Sequence, residues 1–365
     1  MIAAPHGRGI AGAFADYRAS DDLAPLLLAG DALEVLTCLP PASVDVVMTS
    51  PPYWGQREYD RPGIGLEPSP ERYLARLLEI FAEVRRVLTP TGSLWLNIGD
   101  RYRDKGLQLL PWRLAIAMTD EQGWILRNHV VWHKMKGGPD NARDKLRNVH
   151  EPLLHFVTRA RGYHYDVDAI RKQPGTTRVV DGRTVSATGV SGVRYRRKIE
   201  LSTALSPTEK AAALAALERT LEEVRSGRLA DFRMVIRGAQ RTTHSDSARL
   251  SGRAKELADR GFYLLKYDPK GSKPSDVWDI IPEATHGRSG HFAAYPEELC
   301  RIPLLSTCPE DGIVLDPFCG TGTTNVAALA LGRKSVGIDL VDDYLRQARQ
   351  RANVTGGVGA APTAG

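Results

Sequence analysis

Ser50-Pro51-Pro52-Tyr53-Trp54 gathers a hydroxyl, two prolyl carbonyls and two aromatic faces within five residues. The prolines lack N–H donors and fix φ, so they stop a strand and hold a rigid turn. Two hydrogen-bond acceptors beside a stacking ring suit a planar base that carries an exocyclic amine. Taken alone, the stretch from Thr49 to Trp54 serves equally as a Pro-Pro strand stop with a packing aromatic. The run before it, Val44-Asp45-Val46-Val47-Met48, is short and β-branched and predicts a buried parallel strand. The group therefore stands at the carboxyl end of a strand, where open α/β sheets place their ligands.

A second constellation lies far downstream. Gly312-Ile313-Val314-Leu315 reads as a strand that runs into Asp316-Pro317-Phe318-Cys319-Gly320-Thr321-Gly322-Thr323-Thr324 and then a helix from Asn325. Glycines allow close approach of backbone to ligand, and a helix N-terminus offers unpaired N–H groups. Thr323 and Thr324 serve either as contacts there or as helix caps. The next strand, Lys334 to Asp339, ends in an acid able to accept from both hydroxyls of a ribose. Asn325 stands where a dinucleotide fingerprint needs glycine or alanine, which disfavours a nicotinamide dehydrogenase.

Together these stretches resemble the S-adenosylmethionine-dependent DNA amino-methyltransferases, which methylate N4 of cytosine or N6 of adenine. The catalytic motif comes first and the cofactor loop last, with a long insert between, which resembles the permuted β class. The resemblance implies a Rossmann-like α/β methyltransferase sheet of about seven strands, circularly permuted, with an inserted target-recognition domain. It makes Ser50, Pro51, Pro52 and Tyr53 the catalytic group, with Ser50 Oγ and the Pro51 carbonyl accepting the amine hydrogens and Tyr53 stacking on a flipped base. It makes Asp316, Pro317, Phe318, Gly320, Gly322, Thr323 and Thr324 the methionine-end loop and Asp339 the ribose acid. Ala29-Gly30-Asp31 resembles the strand end along the cofactor adenine, and His291 to Leu299, with Phe292 and Pro296, the segment preceding the loop. Within the family, Ser at position 50 goes with N4-cytosine enzymes and Asp or Asn more with N6-adenine enzymes, so cytosine is the expected base and adenine the alternative. An RNA or small-molecule methyltransferase and an inactive DNA-binding protein are the other rivals. The resemblance implies double-stranded DNA as partner and leaves open a cognate restriction endonuclease and a homodimer.

The elements that must position these residues follow from periodicity. Helices are expected over about 70–88, where Tyr73, Leu77, Phe81 and Val84 recur at helical spacing, and over 107–122. Strands are expected at 24–29, 93–98, 128–134 and 153–157. Residues 21–170 are read as the catalytic half, 171–275 as the insert, 276–352 as the cofactor half, and 1–20 and 353–365 as flexible tails. Within the insert, 179–206 has turn and strand character, Ser206-Pro207-Thr208-Glu209 opens an Ala- and Leu-rich helix, and 244–252 is polar and mobile.

The chain has 365 residues and a formal net charge of +6. From Arg171 to Ser275 there are 22 Lys and Arg against 11 Asp and Glu, which leaves 27 basic and 32 acidic residues elsewhere. All the basicity thus sits in the insert, where a methyltransferase grips phosphate. Arg194, Arg196 and Arg197 are its densest cluster, and Lys134, Arg143 and Arg147 are further phosphate candidates, with Trp54 closing the pocket. Trp132-x-Lys134 and His150-Glu151 match a pattern that family members show after the sixth strand. The four cysteines, Cys38, Cys300, Cys308 and Cys319, lack metal spacing and are read as structural. His129 and His133 fall on a strand without a protease acid, so no metal is expected. No apolar run approaches a membrane span and no secretory pattern opens the chain, so a cytoplasmic, nucleoid-associated protein is expected.

Overall fold

Short β-branched runs and amphipathic helices alternate along the chain, and the runs assemble side by side. The computed structural model describes residues 2–3, 9–55, 63–135, 141–172, 178–180, 183–185, 192–239, 252–282 and 295–357. Two compact units divide them: Met1–Ala169 with Ser275–Gly365, and Ile170–Pro274.

In the first unit the order is β1 (Ile2–Ala3), α1 (Ile10–Ala19), β2 (Leu26–Ala29), α2 (Ala32–Cys38), β3 (Val44–Thr49), α3 (Pro70–Val87) and β4 (Leu88–Asn97). A short hairpin, β5 (Tyr102–Arg103) with β6 (Gly106–Leu107), precedes α4 (Leu110–Gln122), β7 (Ile125–His133) and β8 (His150–Val157). After the second unit come β13 (Val277–Asp279), α8 (Glu297–Thr307), β14 (Ile313–Asp316), α9 (Thr323–Ala330), β15 (Lys334–Asp339) and α10 (Asp342–Gly357). The second unit contains β9 (Arg178–Val180), β10 (Arg183–Val185), α5 (Val193–Glu200), α6 (Pro207–Arg225), β11 (Asp231–Ile236), α7 (Gly252–Arg260) and β12 (Phe262–Tyr267).

One nine-stranded sheet runs β1-β2-β15-β14-β3-β4-β8-β7-β13. The strands from β1 to β4 are parallel, and β8 is antiparallel to both of its neighbours. Among the described residues the sheet has nine strands, against the expected seven or so. The two additions are edge pieces of two and three residues, too short to leave a periodic pattern. At β4, Val44 pairs with Leu88 and Val46 with Ser93, so Thr89–Gly92 bulges out of a strand that starts earlier than the expected 93.

The central strands are buried on both faces. Val47, Leu94, Leu96, Leu315 and Ile338 meet α2, α3 and α4 on one side, while Val46, Met48, Val314 and Leu153 meet α8 and α9 on the other. Helix α3 starts because Ser69 accepts from Arg72 N and Pro70 occupies the first turn. Its buried stripe of Tyr73, Leu77, Ile80, Phe81, Val84 and Val87 follows the 3.6-residue period, and each such side chain contributes roughly 1.5–3 kcal/mol.

The tails expected over 1–20 and 353–365 are corrected in part. Helix α1 docks by its buried Phe14 and Tyr17, and Tyr17 Oη accepts from Ser335 N at 2.9 Å, so burial anchors a segment whose Gly and Ala content suggested looseness. Helix α10 continues to Gly357.

The second unit builds its own core, in which Ile199, Leu217, Phe232, Met234 and Phe262 pack α5 and α6 onto the antiparallel β11–β12 pair. Ser206 and Glu209 close a capping box at the start of α6. Residues 193–200, expected as turn or strand, form a helix: only one side, with Ile199, is apolar, which is enough to dock it. Most of the stretch expected to be mobile, 244–251, lies outside the described residues.

Candidate active site

Five adjacent strand ends carry the candidate residues. Asp31 follows β2, Asp339 ends β15, Asp316 ends β14, Ser50 follows β3 and Asn97 ends β4, and these strands are sheet neighbours in that order. From β14 the chain moves outward to β15, and from β3 it moves the other way to β4. The connections therefore part at the β14–β3 pair and leave a crevice there, the place where doubly wound sheets bind ligands.

A buried knot joins the two motifs across this pair. Thr49 Oγ1 donates to Asp316 Oδ1 at 2.6 Å, and Thr324 Oγ1 and Tyr295 Oη donate to Asp316 Oδ2 at 2.6 and 3.1 Å. Phe318 N adds a fourth bond to Oδ1 at 3.1 Å. Burial pushes the Asp316 carboxyl above the usual range, and these hydrogen bonds oppose the rise. Burial, with Asp316 beside it, likewise raises the Tyr295 phenol. Thr323 and Thr324 do not cap α9. Its N-cap is Gly322 at φ 77°, Thr324 is spent on Asp316, and Thr323 Oγ1 accepts from Arg351 at 3.1 Å. A Cβ at Gly322 would come within 2.7 Å of Ala348 Cβ, so close packing as well as backbone conformation requires glycine.

Asp339 receives Gly320 N on Oδ2 at 2.9 Å and Val341 N on Oδ1 at 2.8 Å. Burial outweighs those bonds and lifts its pKa to about 6. A carboxylate has acceptor capacity beyond its backbone donors, and an acid at this strand end suits the hydroxyls of a ribose. Asp31 at the next strand end accepts from Leu33 N and Glu34 N as the cap of α2, and it pairs with Arg76 at 3.4 Å. Pro317 is buried, Phe318 is half-buried against the core, and Pro296 precedes α8 as its N-cap. Phe292 lies outside the described residues. Burial beside Asp339 and Asp316 raises the Cys319 thiol well above its usual value, which removes it as a nucleophile.

Around Ser50 the groups form a chain. Ser50 Oγ donates to Tyr53 Oη at 3.3 Å, and Tyr53 Oη lies 3.0 Å from Glu151 Oε2 and 3.1 Å from Asn97 Oδ1. Asn97 Nδ2 donates to Glu151 Oε2 at 3.3 Å and to the Pro152 carbonyl at 3.1 Å. Lys134 Nζ donates to Glu151 Oε1 at 2.5 Å and lies 4.9 Å from the Trp132 ring centroid. Burial, then the Glu151 charge, raises the Tyr53 phenol well above its ordinary value. Gly99 gives the Tyr53 ring its space, since a Cβ there would fall 2.4 Å from Cε2.

Three sequence expectations are corrected here. Of the two prolyl carbonyls, that of Pro52 is taken by Tyr73 Oη at 2.9 Å. Trp54 is buried rather than exposed to a substrate, because its Nε1 donates to the Glu67 carbonyl at 2.9 Å and Arg101 and Arg103 lie over its ring. Lys134, expected on phosphate, is turned inward by Glu151. Arg143 and Arg147 are exposed. In the second unit Arg194 and Arg197 recur on one side of α5 and line an open cleft of about 430 Å³ with Lys198 and Leu201, whereas Arg196 pairs with Glu218. His129 meets Trp112 edge to face and His133 pairs with Asp279 at 2.7 Å. Among the described residues no cluster of three or more metal-ligating side chains occurs, and no helix is long and apolar enough to cross a membrane.

Sequence reasoning missed Tyr295, Tyr73, Asn97 and Gly99 as site residues, and it left Glu151 as a bare pattern match. Only Glu151 and Tyr295 had a signal, each lying inside a segment that resembled the family.

Residues 44–350 match the family model described as DNA methylase. The type II methyltransferase M.SfiI of Streptomyces fimbriatus is 32% identical over 87% of this chain and 89% of its own length. The type II methyltransferase M.Cfr9I of Citrobacter freundii is 29% identical over 87% and 84%. Among solved structures, the cytosine-N4-specific PvuII DNA methyltransferase superposes with a TM-score of 0.54 at 16% identity, covering 89% of this chain and 85% of that one, which shows a shared fold.

Proposed function

The chain belongs to the DNA methylase family, and from that premise we propose that it methylates the N4 amine of a flipped-out cytosine. It is a site-specific DNA methyltransferase dependent on S-adenosylmethionine; the base is our own reading. The cofactor, when bound, supplies an electrophilic methyl carried on a sulfonium. Asp339 and Asp31 would hold its nucleoside part, and the Asp316–Gly322 loop its methionine end.

Ser50 carries the assignment. The exocyclic amine of cytosine is a poor nucleophile because its lone pair is delocalised into the ring. Ser50 Oγ and the Pro51 carbonyl each accept one amine hydrogen, which favours a pyramidal nitrogen with its lone pair free to attack. With Tyr73 on the Pro52 carbonyl, Pro51 is the proline assigned to the base. Within the family that the chain resembles, Ser at this position goes with cytosine and Asp or Asn more with adenine, and this association supports the base assignment. The target amine is buried in a duplex, so the nucleotide must leave the stack at a cost of a few kcal/mol, which contacts in the pocket offset. We assign the grip on duplex DNA to the basic unit at 170–274, with Arg194 and Arg197 as phosphate contacts. The same reading sets the enzyme at the nucleoid and leaves open a restriction endonuclease of the same specificity.

Incubation of unmethylated DNA with labelled S-adenosylmethionine, followed by nucleoside mass spectrometry, tests this directly. N4-methylcytosine is expected. N6-methyladenine would overturn the base assignment and leave the rest intact.

A further inference from the structure

We propose that Glu151, locked by Lys134, is a positioning residue that acts through Tyr53 to fix the direction of the Ser50 hydroxyl, so that Ser50 Oγ shows only lone pairs to the amine. The inference rests on the reading of Ser50 as an amine acceptor.

The direction follows from what each group can and cannot do. An ammonium has donors and no acceptor, so Lys134 at 2.5 Å requires Glu151 Oε1 to accept. The ionised carboxylate is acceptor-only, and Oε2 therefore also accepts, from Tyr53 Oη and from Asn97 Nδ2. The Asn97 amide is fixed as well. Its NH₂ faces two acceptors, Glu151 Oε2 and the Pro152 carbonyl, which turns its oxygen to Tyr53. Tyr53 has one proton and two acceptors on that side. Its proton is committed away from Ser50, and its lone pairs face Ser50. The Ser50 hydrogen is drawn to Tyr53 at 3.3 Å, and the remaining valence of Oγ is acceptor only.

The consequence is chemical. A free serine hydroxyl rotates and offers its hydrogen to an amine nitrogen as readily as it accepts from one. Donation to that nitrogen would occupy the lone pair that must attack the methyl. A fixed acceptor avoids the unproductive rotamer in every turnover. The positions of Glu151 and Lys134 suit the task. Glu151 lies in β8 and Lys134 directly follows β7, so the antiparallel pairing of these strands holds both half-buried, and Glu151 reaches Ser50 only through Tyr53.

The test uses the full chain, with single-turnover methyl transfer and separately measured dissociation constants for S-adenosylmethionine and DNA. Glu151→Gln puts a donor where the carboxylate accepted, and Tyr53→Phe removes the link. Each should lower the methyl-transfer rate by about tenfold or more, with both dissociation constants within about threefold of the unaltered chain. The double variant should lose little beyond either single change, because both cut one chain of hydrogen bonds. Multiplied losses in the double variant, or a loss confined to binding, overturn the proposal, as does Glu151→Gln at the unaltered rate. Should Glu151→Gln fail to fold, Lys134→Met, which keeps the carboxylate and removes its fixed donor, carries the same prediction. If the unaltered chain puts no methyl on DNA, the functional reading and this inference fall together; if it does and the variants match it, only the inference falls.

Discussion

Thr49 Oγ1 and Asp316 Oδ1 lie 2.6 Å apart, buried, and join the end of β3 to the end of β14 across 267 residues of sequence. Val46 and Val47 pair with Val314 and Leu315 just behind them. The bond makes the position of Ser50 depend on the loop that begins at Asp316. Thr49→Val keeps the shape and removes the donor, leaving a buried carboxylate with one partner fewer. The expected cost is about 1–3 kcal/mol in thermal or urea unfolding, together with weaker cofactor affinity. Unchanged stability would show that Asp316 does not need this partner.

Ser50 and Asp339 should separate chemistry from binding. Ser50→Ala is expected to lower turnover by roughly 100-fold and leave the cofactor dissociation constant near its original value. Asp339→Ala should do the reverse at saturating cofactor. Equal loss of cofactor affinity in both variants would refute the division.

Asp339 also sets a pH dependence. Its carboxyl shifts from 3.8 to about 6 on folding, because burial raises it more than the Gly320 and Val341 amides lower it. The folded chain therefore holds this proton more tightly, so the group favours folding below about pH 4 and loses that contribution as pH climbs through 6. Ionisation at neutral pH costs the fold roughly 3 kcal/mol. On the proposed reading the cofactor ribose uses the ionised acceptor, so affinity should fall as pH drops below about 6. Calorimetric titration between about pH 5 and 8 measures this, and Asp339→Asn should flatten the profile.

Gly99→Ala is expected to lower turnover with a modest change in melting temperature. The new methyl would meet Tyr53 Cε2 at 2.4 Å, against ring atoms that cannot flex away, and push the hydroxyl off Glu151. A variant with full activity would mean that the ring position is unimportant.

Replacing Arg194 and Arg197 by Ala should weaken DNA binding on any sequence and reduce the slope of log affinity against log salt by roughly 2. An unchanged slope would remove this side of α5 from the DNA interface.

Much of this site could be read in advance because its signals are local. Pro51 and Pro52 must end a strand, Gly320 and Gly322 must loosen a turn, and Ser206 with Glu209 must start a helix; each acts within a few residues. The orientation of long side chains is not local. Lys134 was assigned to phosphate because an exposed lysine beside DNA is the simplest reading, and only the pairing of β7 with β8 brings Glu151 under it. Trp54 is hidden by the Glu67 carbonyl, thirteen residues on, which no spacing rule anticipates. The 193–200 helix escapes the sequence reading because one apolar side of only Tyr195 and Ile199 among four basic residues leaves a weak periodicity, and tertiary packing supplies the rest.

The adjacency of β3 and β14 sets a timetable as well as a site. A ribosome adding about 5–20 residues per second takes roughly 13–50 s to pass from Thr49 to Asp316, a separation of 267 residues. Throughout that interval the Val44–Thr49 strand has one side open to solvent, a hydrophobic edge of the kind that pairs with stray chains. Asp45 is the one charged residue in that run. In the finished fold its Oδ2 accepts from Ile313 N at 2.9 Å, at the root of the very strand that closes the gap. Before β14 arrives, the same carboxylate puts a charge on the waiting edge, the kind of residue that opposes stray strand pairing.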